Sequence, residues 1–469
     1  MFQLHLDASE FPHGPTSMLN HPSRREMLQV GCSGLLGLTM PTVLSKSAQA
    51  SVIPPRIKSV VLVFLTGGGS HIDTFDPKPD SPEIRGEFSP ISTSIPGVQF
   101  TEHVPMLAER ANLMTIVRSM SHKDNRHLSG THNTLTGAEQ PFRGDANEDK
   151  ELNRGDWPSY GSALSHFRPR PDGIPTQVTV PKPLIEGNLT WPGQHAGILG
   201  PKHDPFQING DPAQDEFKVS GLHLPDGLSV ERLQGRHSLL QQLSANRAQL
   251  DRWASTQAFN QQQEIAYSML TASKFANAFK IQQEPDAVRE RYGKNSMGQT
   301  LLLARRLVEC EIPVVQCNMG RVQTWDNHTD IFPKMKDKLL PQLDRGVSAL
   351  LDDLQETGLL DQTMVIVVGE FGRTPKISQL SGKGIVGRGH WAAAYTALFA
   401  GGGVQGGQLI GETDQNGAYP ITTPFHPNDL GATVYHSLGV DPHAMLIDKQ
   451  DRPIHLNRGK VMHELFSSV

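Results

Sequence analysis

The chain alternates short, continuously apolar runs with longer stretches at helical spacing. "IKSVVLVFL" from Ile57 is apolar after its first residues, and "TMVIVVGEF" from Thr363 and "AYTALFAGGG" from Ala394 follow the same plan. Such runs, bounded by glycine or polar residues, predict strands buried on both faces, since a half-exposed strand would alternate. Asn112 to Val117 and "IPVVQCN" from Ile312 read as two more. "LLLARRLVEC" predicts a helix that feeds the strand at Ile312. Leu339, Leu343, Val347, Leu350, Leu351 and Leu354 fall on one helical face. Pro341 is expected to kink or restart that helix, and Gly358 to cap its end. "NDLGATVYHSLGV" predicts a further short helix. Leu228 to Phe279 is rich in Gln, Leu and Ala at helical spacing. Glu151 to Pro225 is rich in Pro, Gly and polar residues and predicts long surface loops. Strands alternating with helices imply a largely parallel α/β sheet.

In such sheets ligands sit beyond the carboxyl ends of the strands, which singles out four segments. "LTGGGSHIDTFDP" carries His71 and Asp73, "QTWDNHTD" carries Asp326 and His328, "GEFGRTPK" carries Glu370 and Arg373, and "GRGHW" carries Arg388 and His390. The glycines of the first segment are not followed by a Lys-Ser/Thr pair and lack dinucleotide spacing, so a phosphate loop is excluded. A metal or substrate site fits His71 and Asp73 better, with Asp76-Pro77 as a turn. Asp326 and His328 offer a carboxylate and an imidazole to a divalent ion. The alternative is a helix cap beside an exposed histidine. Glu370 is expected in the edge crevice, and Arg373 either grips an anionic group or pairs with Glu370. His390 is a terminal ligand or a buried histidine bonded to a carbonyl. A fifth segment, "SMSHKDNRHLSGTHNTLTG", packs His122, His127 and His132 into eleven residues. His127 and His132 are five apart, which suits a loop or helix start.

Composition narrows the chemistry. Of 469 residues 20 are histidine and 3 cysteine, so metal binding would use nitrogen and oxygen donors and no disulfide framework is supported. A net charge of −5 gives no basic surface for nucleic acid. With 37% apolar residues the chain can bury one large core or two smaller ones. The first fifty residues read as an export signal: Arg24 and Arg25 adjoin, a mildly apolar stretch runs from Met27 to Leu44, and Ala48 to Ala50 has the small-x-small form of a cleavage site. This resembles a twin-arginine signal on 1–50. The expected mature protein, 51–469, is periplasmic or extracellular and meets the membrane only in export. Insertions are expected around 139–225 (loops) and 226–295 (helical). Oligomeric state is left open.

Taken together, "GGGSHIDTFDPKP", "RSMSH…H…TG", "LLLARRLVE", "WDNH", "GLLDQTMVIVVGEFGRTPKI", "GRGHW" and "GGGVQGGQLIGETD" resemble one family along nearly the whole mature chain. That is the exported bacterial family called domain of unknown function 1501, grouped with alkaline-phosphatase-like proteins such as sulfatases and phosphatases. The resemblance implies a doubly wound, mostly parallel sheet with helices on both faces and metal at the strand ends. It implies hydrolysis of phosphate or sulfate esters, with an anionic small molecule or glycan ester as substrate. Divalent ions, zinc first and manganese, iron or calcium as alternatives, would be held by His71, Asp73, Asp326, His328, Glu370 and His390. Arg373 and Arg388 would neutralise the anion, and His127 or His132 would move protons. The position of the family's nucleophile falls on His127, so metal-bound hydroxide is the expected attacking group. The competing expectation is a non-catalytic exported protein that binds sulfated or phosphorylated glycans.

Overall fold

Seven consecutive buried residues, Ser59–Leu65, form strand β1 near the centre of an eight-stranded sheet in the computed structural model of the chain. The described residues are 51–141, 150–219, 222, 231–236, 238–239, 267–379 and 386–466. The proposed signal segment and most of the Gln-rich stretch lie outside them. The other strands are β2 (Met114–Met120), β3 (Gln177–Val180), β4 (Phe206–Gln207), β5 (Val314–Asn318), β6 (Thr363–Gly369), β7 (Tyr395–Ala400) and β8 (Gln408–Ile410). Their order across the sheet is β8-β2-β7-β6-β1-β5-β3-β4. β1 pairs in parallel with both β5 and β6.

The absence of alternation in β1 follows from burial on both faces. Val61, Val63 and Leu65 enter one core with helices α3 (Ser296–Glu309) and α4 (Leu340–Glu356). Val60, Leu62 and Phe64 enter a second core with α1 (His127–Thr136), α2 (Tyr160–Phe167) and α5 (Pro427–Ser437). The fold is thus a doubly wound α/β sandwich. Pro341 opens α4 after a wide π-helical turn at Met335–Leu339. Proline has no hydrogen for the carbonyl four residues back, and the wider turn accommodates that loss. Gly358 follows the helix at φ 71°.

Two expectations are corrected. The second strand begins at Met114 after a tight helical turn at Ala111–Leu113. The region expected as loops, Glu151 to Pro225, contributes α2 and two strands that extend the sheet. β3 is only "QVTV", too short to show a period. Its burial comes from pairing with β5.

β7 runs antiparallel to β6 and β2. The chain before β7 therefore lies at the edge where the parallel strands end, and this brings "GRGHW" to the same place as the loops after β1, β5 and β6.

Asp344 of α4 accepts the amide hydrogens of Met106 (3.0 Å) and Leu107 (2.7 Å) at the start of a short helix, Pro105–Glu109. Burial outweighs these bonds and pushes its carboxyl up to about 6. The folded state then binds a proton that the unfolded state releases near pH 4. This group's contribution is fully present below pH 4 and is lost as pH rises through about 6, by roughly 3 kcal/mol. Urea titrations of wild type and Asp344→Asn from pH 4 to 7 should show a stability difference that changes by that amount. A pH-independent difference would contradict it.

Candidate metal centre at the carboxyl edge

Glu370 follows β6 directly, and its Oε2 accepts the amide hydrogen of Gly67 after β1 (3.1 Å). Its Oε1 lies 2.8 Å from Nδ1 of His127, the first residue of α1. The Nε2 of that ring lies 3.2 Å from Oδ2 of Asp326 in the loop after β5. Asp326 Oδ1 lies 3.0 Å from His328 Nε2 and 3.3 Å from His390 Nε2. His390 stands on a two-residue strand, His390–Trp391, paired antiparallel with Gly372–Arg373 just beyond β6. Among the described residues, ligating atoms of His127, Asp326 and His390 all lie within 4.8 Å of one another, close enough to hold one ion.

The donor set suits a divalent cation. Glu370 and the carbonyl of Asn125 take the Nδ1 hydrogens of His127 and His390, at 2.8 Å each. This directs both Nε2 lone pairs towards Asp326, as in a carboxylate–histidine–metal triad. His127 Nε2 is buried yet makes no well-aligned hydrogen bond. His328 Nε2 and His390 Nε2 face each other at 2.9 Å, so both rings turn a ring nitrogen towards the same space. Nitrogen and carboxylate donors are of the kind divalent ions take.

The electrostatics tie these groups closely together. Burial disfavours charge on His127, but Asp326 and Glu370 outweigh it and raise its pKa to about 9. Burial works against the Asp326 carboxylate as well. The adjoining His127 and His390 rings and the charge of Arg373 nonetheless hold it well below the usual carboxylate range. Burial lowers the pKa of His328, against the pull of Asp326.

The structure brings Asp326, His328, Glu370, His390 and His127 together and places the other candidates elsewhere. Glu370 reaches the cluster through His127 rather than as part of the close group. Arg373 is wholly buried. It pairs with Asp326 at 2.5 Å and donates to the carbonyls of Gly67, Gly68 and Trp325. It holds Asp326 in place and has no face left for an anion. Arg388 is also wholly buried. It grips Asp73 with two bonds (2.7 and 3.0 Å) and donates to the carbonyls of Thr374, Pro375 and Ile84. Asp73 is thereby engaged on both oxygens, outside the cluster. His71 Nε2 bonds the Gly417 carbonyl (2.8 Å) away from the cluster. His132, on the buried side of α1, bonds the Ala138 carbonyl (3.0 Å) and is corrected from a proton-transfer group to a core residue.

Sequence reasoning missed Asn125, whose carbonyl orients His390 and whose side chain accepts the amide hydrogen of Ala392 (2.6 Å). Its only signal was its place between His122 and His127. His122 itself bonds the Glu370 carbonyl (2.7 Å). Phe371 and Trp191 pack against the His127 ring at 5.0 and 5.6 Å.

The opening glycines serve close approach. Gly67 has φ 104°, and a Cβ there would stand 2.8 Å from the amide nitrogen of Asp326. Gly67→Ala should cost roughly 1–3 kcal/mol and weaken metal binding together, because the Asp326 loop must retreat. Thermal melts with and without added zinc would check this. An unchanged melting temperature and unchanged zinc response would contradict it.

Fold and site together define an α/β protein with a nitrogen-and-oxygen donor centre at its strand ends. The chain belongs to the family described as "Protein of unknown function (DUF1501)", whose pattern matches residues 57–466. No curated protein matches the chain in sequence. Among solved structures, it is similar to a phosphonate monoester hydrolase from Silicibacter pomeroyi at 11% identity, covering 89% of this chain and 77% of that one with a TM-score of 0.39. It is similar to a sulfatase from Pseudoalteromonas sp. at 13% identity, covering 84% and 71% with a TM-score of 0.37. A protein in the alkaline phosphatase superfamily from Vibrio parahaemolyticus is similar at 13% identity, covering 83% and 69% with a TM-score of 0.37.

Proposed function

We propose that this protein is a metal-dependent hydrolase of phosphate or sulfate esters, exported by the twin-arginine route to the periplasm or beyond. One observation carries the hydrolase reading: Nε2 atoms of His127, His328 and His390 converge on Asp326, while the outer nitrogens of His127 and His390 are already fixed. Those four side chains would hold the ion, with zinc the first choice and manganese, iron or calcium as alternatives. A bound divalent ion would supply Lewis acidity towards an ester oxygen and lower the pKa of water.

The chain's own residues do the rest. Glu370 orients His127, and Arg373 fixes Asp326 against rotation. Phe371 and Trp191 shield the inner side of the His127 ring. The outer side is open, with the side chains of His328 and His390 exposed by 41% and 25%. An open face is what separates a catalytic ion from a structural one. Ser129 hydrogen-bonds Asp124, and Thr131 is wholly buried, so water is the attacking group this site favours. The export reading rests on the first fifty residues alone. Among the described residues no helix is long and apolar enough to cross a membrane.

The competing reading is a non-catalytic exported protein that binds sulfated or phosphorylated glycans. One observation favours it: among the described residues no hydroxyl or thiol hydrogen-bonds His127, Asp326, His328 or His390. Elemental analysis of protein purified without chelator decides between them. One or two stoichiometric ions, with turnover in a screen of phosphate and sulfate esters, is the expected result. Well-folded protein without an ion would overturn the hydrolase reading.

A further inference from the structure

Segment 122–126 supports the metal centre on one side, through the His122 bond to Glu370 and the Asn125 bond to His390. The same segment lines a cleft of about 910 Å³, bounded also by the start of α5 and by Arg458. This is near the upper end of small-molecule sites, which span about 300–1,000 Å³. It is far larger than one ester group needs.

The lining is unusually polar for a ligand site. Among the described residues no Leu, Ile, Val, Met, Phe, Tyr or Trp borders it. A lipid tail or aryl group would bury apolar surface there against charges and gain nothing. Two of its acidic groups are already engaged. Asp124 is forked onto Arg126 (2.8 and 2.6 Å), and Asp429 accepts amide hydrogens from His426 and Lys460 (2.8 Å each). Lys123 and Arg458, both exposed, form no ion pair or side-chain hydrogen bond among the described residues, and neither does Glu139. Two uncommitted cations and one uncommitted carboxylate thus face the same space. Cations recognise anionic groups, Arg in two-pronged fashion, and a free carboxylate accepts hydrogen bonds from hydroxyls.

Resting on the hydrolase reading above, we infer that this cleft binds the organic part of the substrate, and that this part is a polyhydroxylated, sugar-like group carrying a second anionic ester. The metal centre would act on one ester while Lys123 and Arg458 hold the other, and Glu139 would meet a hydroxyl. Aryl and lipid esters are then poor ligands.

The test is calorimetric binding to the metal-loaded full chain with two probes, a glucose bisphosphate and nitrophenyl phosphate. It compares wild type, the double variant Lys123→Gln/Arg458→Gln, and His390→Ala. Wild type should bind the glucose bisphosphate about ten-fold more tightly than nitrophenyl phosphate. The double variant should lose that preference and bind the aryl ester as wild type does. Tighter binding of the aryl ester, or equal glucose bisphosphate affinity in wild type and double variant, would overturn the inference. His390→Ala separates the two readings. Bisphosphate binding as tight in that variant as in wild type would remove the metal centre and leave the cleft, whose part is read from the double variant, standing.

Discussion

His127→Ala is expected to abolish metal binding and to destabilise the fold by about 3–5 kcal/mol, because it leaves the buried Glu370 carboxylate without its charged partner. Both effects come from one ring. Its Nε2 belongs to the close donor group, and its Nδ1 is the 2.8 Å partner of Glu370, whose side chain is wholly buried. Without the imidazole, Glu370 keeps the Gly67 amide on Oε2 but, among the described residues, has no other partner on Oε1. His390→Ala is the control. That ring is partly exposed and hydrogen-bonds only a backbone carbonyl on its outer side. Its loss should remove metal with a much smaller effect on stability. Metal content and denaturant midpoints of the two variants are the measurements. A His127→Ala protein that keeps its metal and unfolds within about 1 kcal/mol of wild type would sink the role given to this residue.

Asp73→Ala should be comparably destabilising, by about 3–5 kcal/mol, yet leave the metal stoichiometry of the folded protein unchanged. The Asp73 and Arg388 side chains are both wholly buried, and Ser70 Oγ adds a 2.5 Å bond to the same carboxylate. Removing the acid strands a guanidinium whose remaining partners are neutral carbonyls. If Asp73 were a ligand, the opposite pattern would appear, with metal lost and stability little changed. Elemental analysis of the soluble folded fraction, beside a thermal melt, distinguishes the two.

The misreading of Asp73 and His71 has a geometric origin. Position after a central strand brought them to the correct edge, as the strand-end rule says. The chain then turns sharply at Gly67 and Gly68, with φ 104° and 78°. Ile72 and Phe75 plunge into the interior. That carries His71 and Asp73 away from the cluster, where Gly417 and Arg388 receive them. Two glycines in a sequence signal that a turn is allowed but leave its direction unspecified. The two arginines were misjudged for a related reason. A charged side chain beside a strand end can face solvent or fill the space between loops, and only the loop carbonyls decide which.

What the sequence by itself determined is local and chemical. Continuous or nearly continuous apolar runs specified β1, β6 and β7, because a strand covered on both faces cannot afford alternation. The leucine spacing and Pro341 specified α4 and its irregular entry. Abundant histidine and scarce cysteine set the donor type. The motifs "WDNH", "GEFGR" and "GRGHW" marked the loops that matter. What only the tertiary structure decided is which donors meet. His127 and Glu370 lie 243 positions apart, and their contact depends on where α1 begins relative to the end of β6. His390 reaches the edge only because β7 runs against its neighbours, a choice that an apolar run cannot express, since it reads the same in either direction.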